Sequence, residues 1–305
     1  IRTEATVVVT GSQPGPGLWL VRKGGNELWI LGTISPLPAN FQWQTQQLDA
    51  VIGSAQEVMY APSLSVNAKV GKLRALTMLP SLIGIKNNPG GQRLDEVLPP
   101  ATYARWSAFR DRFLGDRGAD KLRPAFAANE LWKAAIKRSG MSDKDVVKDA
   151  VAAAVGRHNP KVTLVKETIT ITDPKAAIRQ FKSGQLEDMA CLERTLDRLG
   201  QDMETLRGRA NAWATGDVAA LRAMPQSDQY QACVEAVTES GIGRTLGMGD
   251  MAARLQAQWL AKADAALATN ATTFAVLPMR DLLKPGGIAD RLRAKGYTVL
   301  APDDE

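Results

Sequence analysis

Residues 28–38, LWILGTISPLP, set four large apolar side chains in a row and follow them with a glycine, a serine and two prolines. An apolar run this short, closed by turn residues, predicts a buried strand that opens into a turn. A counterpart stands near the other end of the chain, at residues 273–287, TFAVLPMRDLLKPGG. Each leaves polar groups just past the strand: Ser35 in the first, Arg280 and Asp281 in the second. Strand ends that open into turns are where α/β folds place their sites, so these three are candidate ligand-binding residues.

Outward from this stretch, residues 18–22 and 27–31 flank Lys23-Gly24-Gly25-Asn26, a hairpin signal. Residues 1–16 read as a flexible lead-in or an edge strand. Residues 43–54 predict a helix with Leu48, Val51 and Ile52 inward, and 57–61 a short strand ending at Pro62. From 64 to 155 the pattern is helical, with helices over 101–114, 125–138 and 142–155, the last opened by Ser142 with Asp145 three residues on. Residues 161–172 are crowded with β-branched side chains and predict one strand.

Met189, Leu192, Leu196, Leu199, Met203 and Leu206 then trace one apolar seam, with Gly200 a point of bending or breakage. A helix over 229–237 carries Cys233, and residues 241–247, which lack the GxGxxG spacing and follow no strand, read as a loop. A helix over 250–266, a strand over 273–277, a helix over 287–295 and a strand over 297–300 complete the chain. Strands at both chain ends with helices between them predict an α/β (α+β) fold. A central mixed β-sheet is built from both ends, flanked by helices, with a helical insertion lobe. Residues 17–305 read as one domain, with the sheet core at about 17–62, 161–172 and 270–305 and the lobe at about 64–155 and 181–266.

The chain has 305 residues, 45% of them hydrophobic and 23% charged, enough for a sizeable core and too apolar for wholesale disorder. Its formal charge is +6, but basic and acidic residues are interspersed, as in Arg110-Asp111-Arg112, and no nucleic-acid motif accompanies them. A solvated mixed-charge surface is the plainer reading, and no nucleic-acid partner is expected. No apolar run reaches the length of a transmembrane segment. One histidine and two cysteines leave no His- or Cys-rich metal site. Cys191 and Cys233 fit one disulfide between packed helices in an exported protein, or two buried thiols. A start at Ile1 rather than Met fits a removed leader or a trimmed chain.

Ser35 is a candidate nucleophile, but it needs a base in reach and lacks the glycines of a nucleophile elbow; a turn serine satisfying backbone groups is the plainer reading. His158, in Arg-His-Asn-Pro, reads as a helix C-terminus. Asp281 is a candidate carboxylate ligand or acid/base. Its capping alternative is incomplete, because Pro285-Gly286-Gly287 places the next helix later. Arg280 is a candidate anion contact.

Residues 17–23, GLWLVRK, followed by 28–36, resemble the first strand pair and GxxH motif of the TraB/GumN family, which includes Tiki-type membrane proteases and PrgY-like proteins. Arg123-Pro124 with 125–132 resembles its next helical segment, and Glu167-Thr168 its glutamate-containing strand end. Ala212-Trp213-Ala214-Thr215-Gly216-Asp217 is similar to its W-x-x-G-D junction, and 274–299 to its second GxxH segment and C-terminal strand. The resemblance implies metal-assisted hydrolysis by a histidine in each GxxH turn. Here those positions read Ser35 and Asp281, the second glycine reads Pro278, and the glutamate of the next strand end falls near Ala61.

With these departures the resemblance implies a catalytically degenerate protein of the cell envelope, periplasmic or otherwise extracytoplasmic. It would hold no metal or cofactor and have a binding or regulatory role toward an unidentified protein or small molecule. Two alternatives stand beside it. One is a hydrolase with a re-specified site of Ser35, Glu167 and Asp281, with Arg280, built around an oxygen-bound cation or an anion. The other is a protein-interaction module carried by the helical lobe, a homodimer being one form.

Overall fold

The computed structural model describes residues 14–68, 70–115, 117–183, 188–200, 203–224, 233–234 and 238–304. The lead-in at 1–13 and most of the 229–237 helix expected from the sequence lie outside the described residues. The strands are β1 (Leu18–Lys23), β2 (Asn26–Thr33), β3 (Leu37–Pro38), β4 (Glu57–Met59), β5 (Ser63–Ala68), β6 (Met141–Ser142), β7 (Lys161–Thr163), β8 (Lys166–Ile171), β9 (Thr272–Pro278) and β10 (Thr298–Leu300).

In β2, Leu28, Ile30 and Leu31 are shut from solvent and Trp29 is half-buried, as in a strand covered on both faces. It accordingly lies inside a six-stranded sheet of order β10-β1-β2-β9-β4-β7. β1 turns back on β2 through Gly24 and Gly25, with Lys23 opposite Asn26 and Gly24 at φ +68°. β2, β9, β4 and β7 run parallel, while β1 is antiparallel to both β2 and β10, so the sheet is mixed and joins the two chain ends. The helix Met251–Thr269 packs on β2 and β9, burying Leu255, Trp259, Ala263, Ala266 and Leu267 at helical spacing.

A second core lies in the helical region, where Pro100–Phe113, Pro124–Arg138 and Met189–Gly200 enclose Trp106, Leu131, Leu192 and Leu196. Both Pro100 and Pro124 open their helices, where the missing N–H costs nothing. Cys191 and Cys233 form a disulfide, S–S 2.05 Å. At the centre of this core Asp120 accepts from Arg110 at 2.6 Å, Arg93 at 2.9 Å and the Trp106 indole at 2.9 Å.

Several local expectations are corrected. Residues 64–155 are not uniformly helical, because β5 opens that stretch. The strand expected over 161–172 is two strands: β7 pairs with β4 in the main sheet, and β8 pairs with β5 in a separate parallel ribbon. The seam from Met189 to Leu206 is divided between the helices Met189–Gly200 and Met203–Ala214, with 201–202 outside the described residues. Residues 241–245 are a short helix, Gly241–Thr245, not a loop. Ser142 does not cap the following helix. It ends β6, and Asp145 takes the role, accepting from the Lys148 amide at 2.9 Å.

Candidate functional site

The parallel register brings the two motif turns to one edge of the sheet. Thr33, the last residue of β2, lies opposite Pro278, the last of β9. Met59 at the end of β4 lies opposite Ala275, so Ala61 falls near the same edge. The first turn then runs through a cis Ser35–Pro36 bond with Ser35 exposed and Pro36 buried. Its base is held from the W-x-x-G-D segment, where the buried Trp213 indole donates to the Gly32 carbonyl at 2.6 Å. Phe41 and Trp43 pack their rings around Trp213, at centroid distances of 5.6 and 6.3 Å.

The second turn differs from the sequence expectation. β9 passes directly into a short helix, Met279–Leu283, so Asp281 sits inside a helix rather than ahead of a later one. That helix touches the first turn: a Cβ on Gly32 would stand 2.5 Å from Met279 Cε and 3.2 Å from Leu282 Cδ1. The Asp281 carboxylate is 3.2 Å from Lys284 Nζ and 3.6 Å from Arg280 Nε. The turn is closed by Gly287, where a Cβ would meet the Asp281 carbonyl at 2.5 Å and that of Lys284 at 2.7 Å.

Glu167 belongs to the β5–β8 ribbon, not to these turns. Its Oε1 accepts from Arg254 Nε at 3.1 Å and Nη2 at 2.7 Å, a forked, charge-assisted contact. The pair lines a cavity of ≈ 440 Å³ with Ile169, Ile171, Gln180 and Met251. His158 ends the helix Val146–His158, followed by Asn159 in the left-handed conformation, and lies 3.1 Å from Asp49 Oδ1. It precedes β7, which puts it at the amino edge of the parallel strands, across the sheet from Ser35 and Asp281. Glu57 marks the same amino edge, bound by Lys161 at 3.0 Å and Asn270 at 3.1 Å, and by the Thr163 hydroxyl. Burial pushes its carboxyl up, but these hydrogen bonds outweigh burial and hold it below its usual range.

Sequence reading missed Lys284 and Arg254, the cations that engage the two candidate carboxylates. Lys284 was open to inference, being three residues from Asp281 on a helical turn. Arg254 was not, because 87 residues separate it from Glu167.

The residues at the strand ends do not fit the metal implied by the resemblance. A transition-metal site of mixed nitrogen and oxygen ligands needs imidazole or several free carboxylates. The edge offers a hydroxyl at Ser35, a methyl at Ala61 and one carboxylate, at Asp281, already beside two cations. Among the described residues no group of three or more His, Cys, Asp or Glu is arranged to hold a metal ion. Nor, among them, is any base hydrogen-bonded to Ser35, as a serine nucleophile would need.

The fold is that of a mixed α/β protein in which strand ends from both ends of the chain meet at one edge of the sheet. The chain belongs to the TraB/PrgY/gumN family, whose family model matches residues 17–301. No curated protein and no solved structure matches it significantly.

Proposed function

We propose that this chain is a catalytically degenerate member of its family that works in the cell envelope by binding, not by hydrolysis. The observation that carries the reading is the state of Asp281. In the position of the second motif histidine it is a carboxylate held between Lys284 and Arg280. Ser35, in the position of the first, is an exposed hydroxyl beside that edge. A hydroxyl, a carboxylate paired with Lys284 and a guanidinium make a surface for a polar or anionic ligand. The disulfide fits an oxidising, extracytoplasmic compartment. No helix among the described residues is long and apolar enough to cross a membrane.

The test is peptide hydrolysis by the purified chain in the presence of Mn²⁺, Co²⁺ or Zn²⁺. The expected result is no turnover above the metal-only background. Metal-dependent cleavage that disappears in Asp281→Ala would overturn the reading.

A further inference from the structure

β8 has one edge paired and one edge free. It pairs with β5 in a two-stranded ribbon and, among the described residues, with no other strand. The Ser63 amide donates to the Val165 carbonyl at 2.9 Å, and the backbone groups of a strand alternate in direction from residue to residue. Glu167, Ile169 and Ile171 therefore turn their N–H and C=O groups toward β5. Lys166, Thr168 and Thr170 turn theirs to the free edge, where no backbone group of the described residues bonds them. An unpaired edge is a template for a further strand.

That edge borders the cavity of ≈ 440 Å³ beside Glu167. Consecutive residues 167–173 line it and no residue of β5 does, so the cavity runs along the side of β8 away from β5. The helix Pro174–Ser183 walls it with Ala176, Ala177 and Gln180, and the helix Met251–Thr269 with Met251 and Arg254. β8 thus runs along a groove between two helices. The charged residues of the lining are Glu167, Asp173 and Arg254. Arg254 is already committed to Glu167 and Asp250, and Glu167 Oε2 is buried without a hydrogen-bond partner among the described residues. The side chains of the groove are short of donors, not of acceptors.

A groove with an unpaired strand along it suits a polypeptide in extended conformation, which satisfies the edge by adding a strand. A compact small molecule would make no use of amides and carbonyls repeated at every second residue. A second copy would bring its own β8 with the helices that wall it, and those would meet the walls of this groove. The shortage of donors favours a basic side chain on the occupant. We propose that the free edge of β8 takes an extended, basic polypeptide segment of a partner protein, paired through the backbone of Thr168 and Thr170. The groove shares no residue with Ser35, Arg280 and Asp281, so it stands or falls apart from the reading of those turns.

The experiment passes a pool of acetylated heptapeptides, randomised except for a central lysine, over the immobilised whole chain. Retained members are resynthesised with fluorescein, and their binding is read by polarisation. Saturable binding is expected, weakened about tenfold in Thr170→Pro, which removes one free-edge amide and leaves the pairing with β5 in place. Thr170→Ala keeps that amide and should bind within about twofold of the parent. Thr170 is exposed, and an unchanged thermal midpoint confirms that the fold is kept. Should Thr170→Pro lower the midpoint, methylated peptides decide. Methylating every second backbone amide of the peptide should abolish binding in one parity and be tolerated in the other. Exchanging the central lysine for glutamate should weaken binding about fivefold. The proposal is overturned if no peptide is retained, if a folded Thr170→Pro binds as the parent does, if both methylation sets act alike, or if the glutamate peptide binds equally. A dimer lost in Thr170→Pro, with no peptide retained, would overturn it in favour of a second copy.

Discussion

Gly32 and Gly287 are each pressed against a neighbour that leaves no room for a methyl group, but the neighbours differ. At Gly32 the obstruction is the thioether end of Met279, a flexible side chain in a buried place. At Gly287 it is two backbone carbonyls of the preceding turn. Gly32→Ala should therefore cost about 1 kcal/mol, and Gly287→Ala about 3 kcal/mol, as overpacking against a yielding and an unyielding partner. Urea unfolding of the two variants checks the order, and a larger loss at Gly32 would contradict it. At this scale the sequence disclosed the positions and not their company. Ser35, Arg280 and Asp281 stand visibly past the ends of apolar runs. Trp213 above Gly32 and Arg254 on Glu167 reach across 181 and 87 residues. No local pattern encodes such partners.

Among the elements, long periodic ones were legible and short paired ones were not. The helix Met251–Thr269 declares itself by its apolar spacing, whereas β5, Ser-Leu-Ser-Val-Asn-Ala, looks like a polar link until β8 lies beside it. Pairing between distant segments decides such strands, not their own composition. The helical core shows the same for a polar element. Burial pushes the Asp120 carboxyl up, yet the bonds from Trp106 and Arg110 outweigh it and hold the group below its ordinary value of 3.8. A depressed carboxyl stabilises the fold above its unfolded-state pKa, and that contribution is lost as pH falls through the folded-state value. Asp120→Asn, which leaves Arg110 buried without its carboxylate, should cost about 3–5 kcal/mol at pH 7. The variant should also lose less further stability than the parent between pH 5 and pH 3, read by urea unfolding at each pH. Equal acid sensitivity would show that Asp120 does not carry this pH dependence. The disulfide closes a span of 42 residues, so Cys233→Ser should lower stability by up to about 4 kcal/mol. Unfolding with and without reductant provides the comparison, and the variant should be indifferent to reductant.

At the scale of the molecule the parallel strands give the sheet two chemically distinct edges. The carboxyl edge gathers Ser35, Ala61 and the helix bearing Asp281. The amino edge holds Glu57 with Lys161, and His158 with Asp49. The only histidine of the chain is thus across the sheet from the turns in which the family resemblance places histidines. The mixed sheet and its assembly from both chain ends could be anticipated from where the apolar runs fall. Which edge each side chain occupies became visible only with strand direction and register. We propose that the carboxyl edge, where the two turns meet, carries Ser35 and Asp281 in place of the metal ligands that the family resemblance implies. The most direct test is elemental analysis of the purified chain after equilibration with Mn²⁺, Co²⁺ and Zn²⁺ and removal of free ion. No stoichiometric metal is expected; about one metal ion per chain, lost in Asp281→Ala, would contradict the proposal.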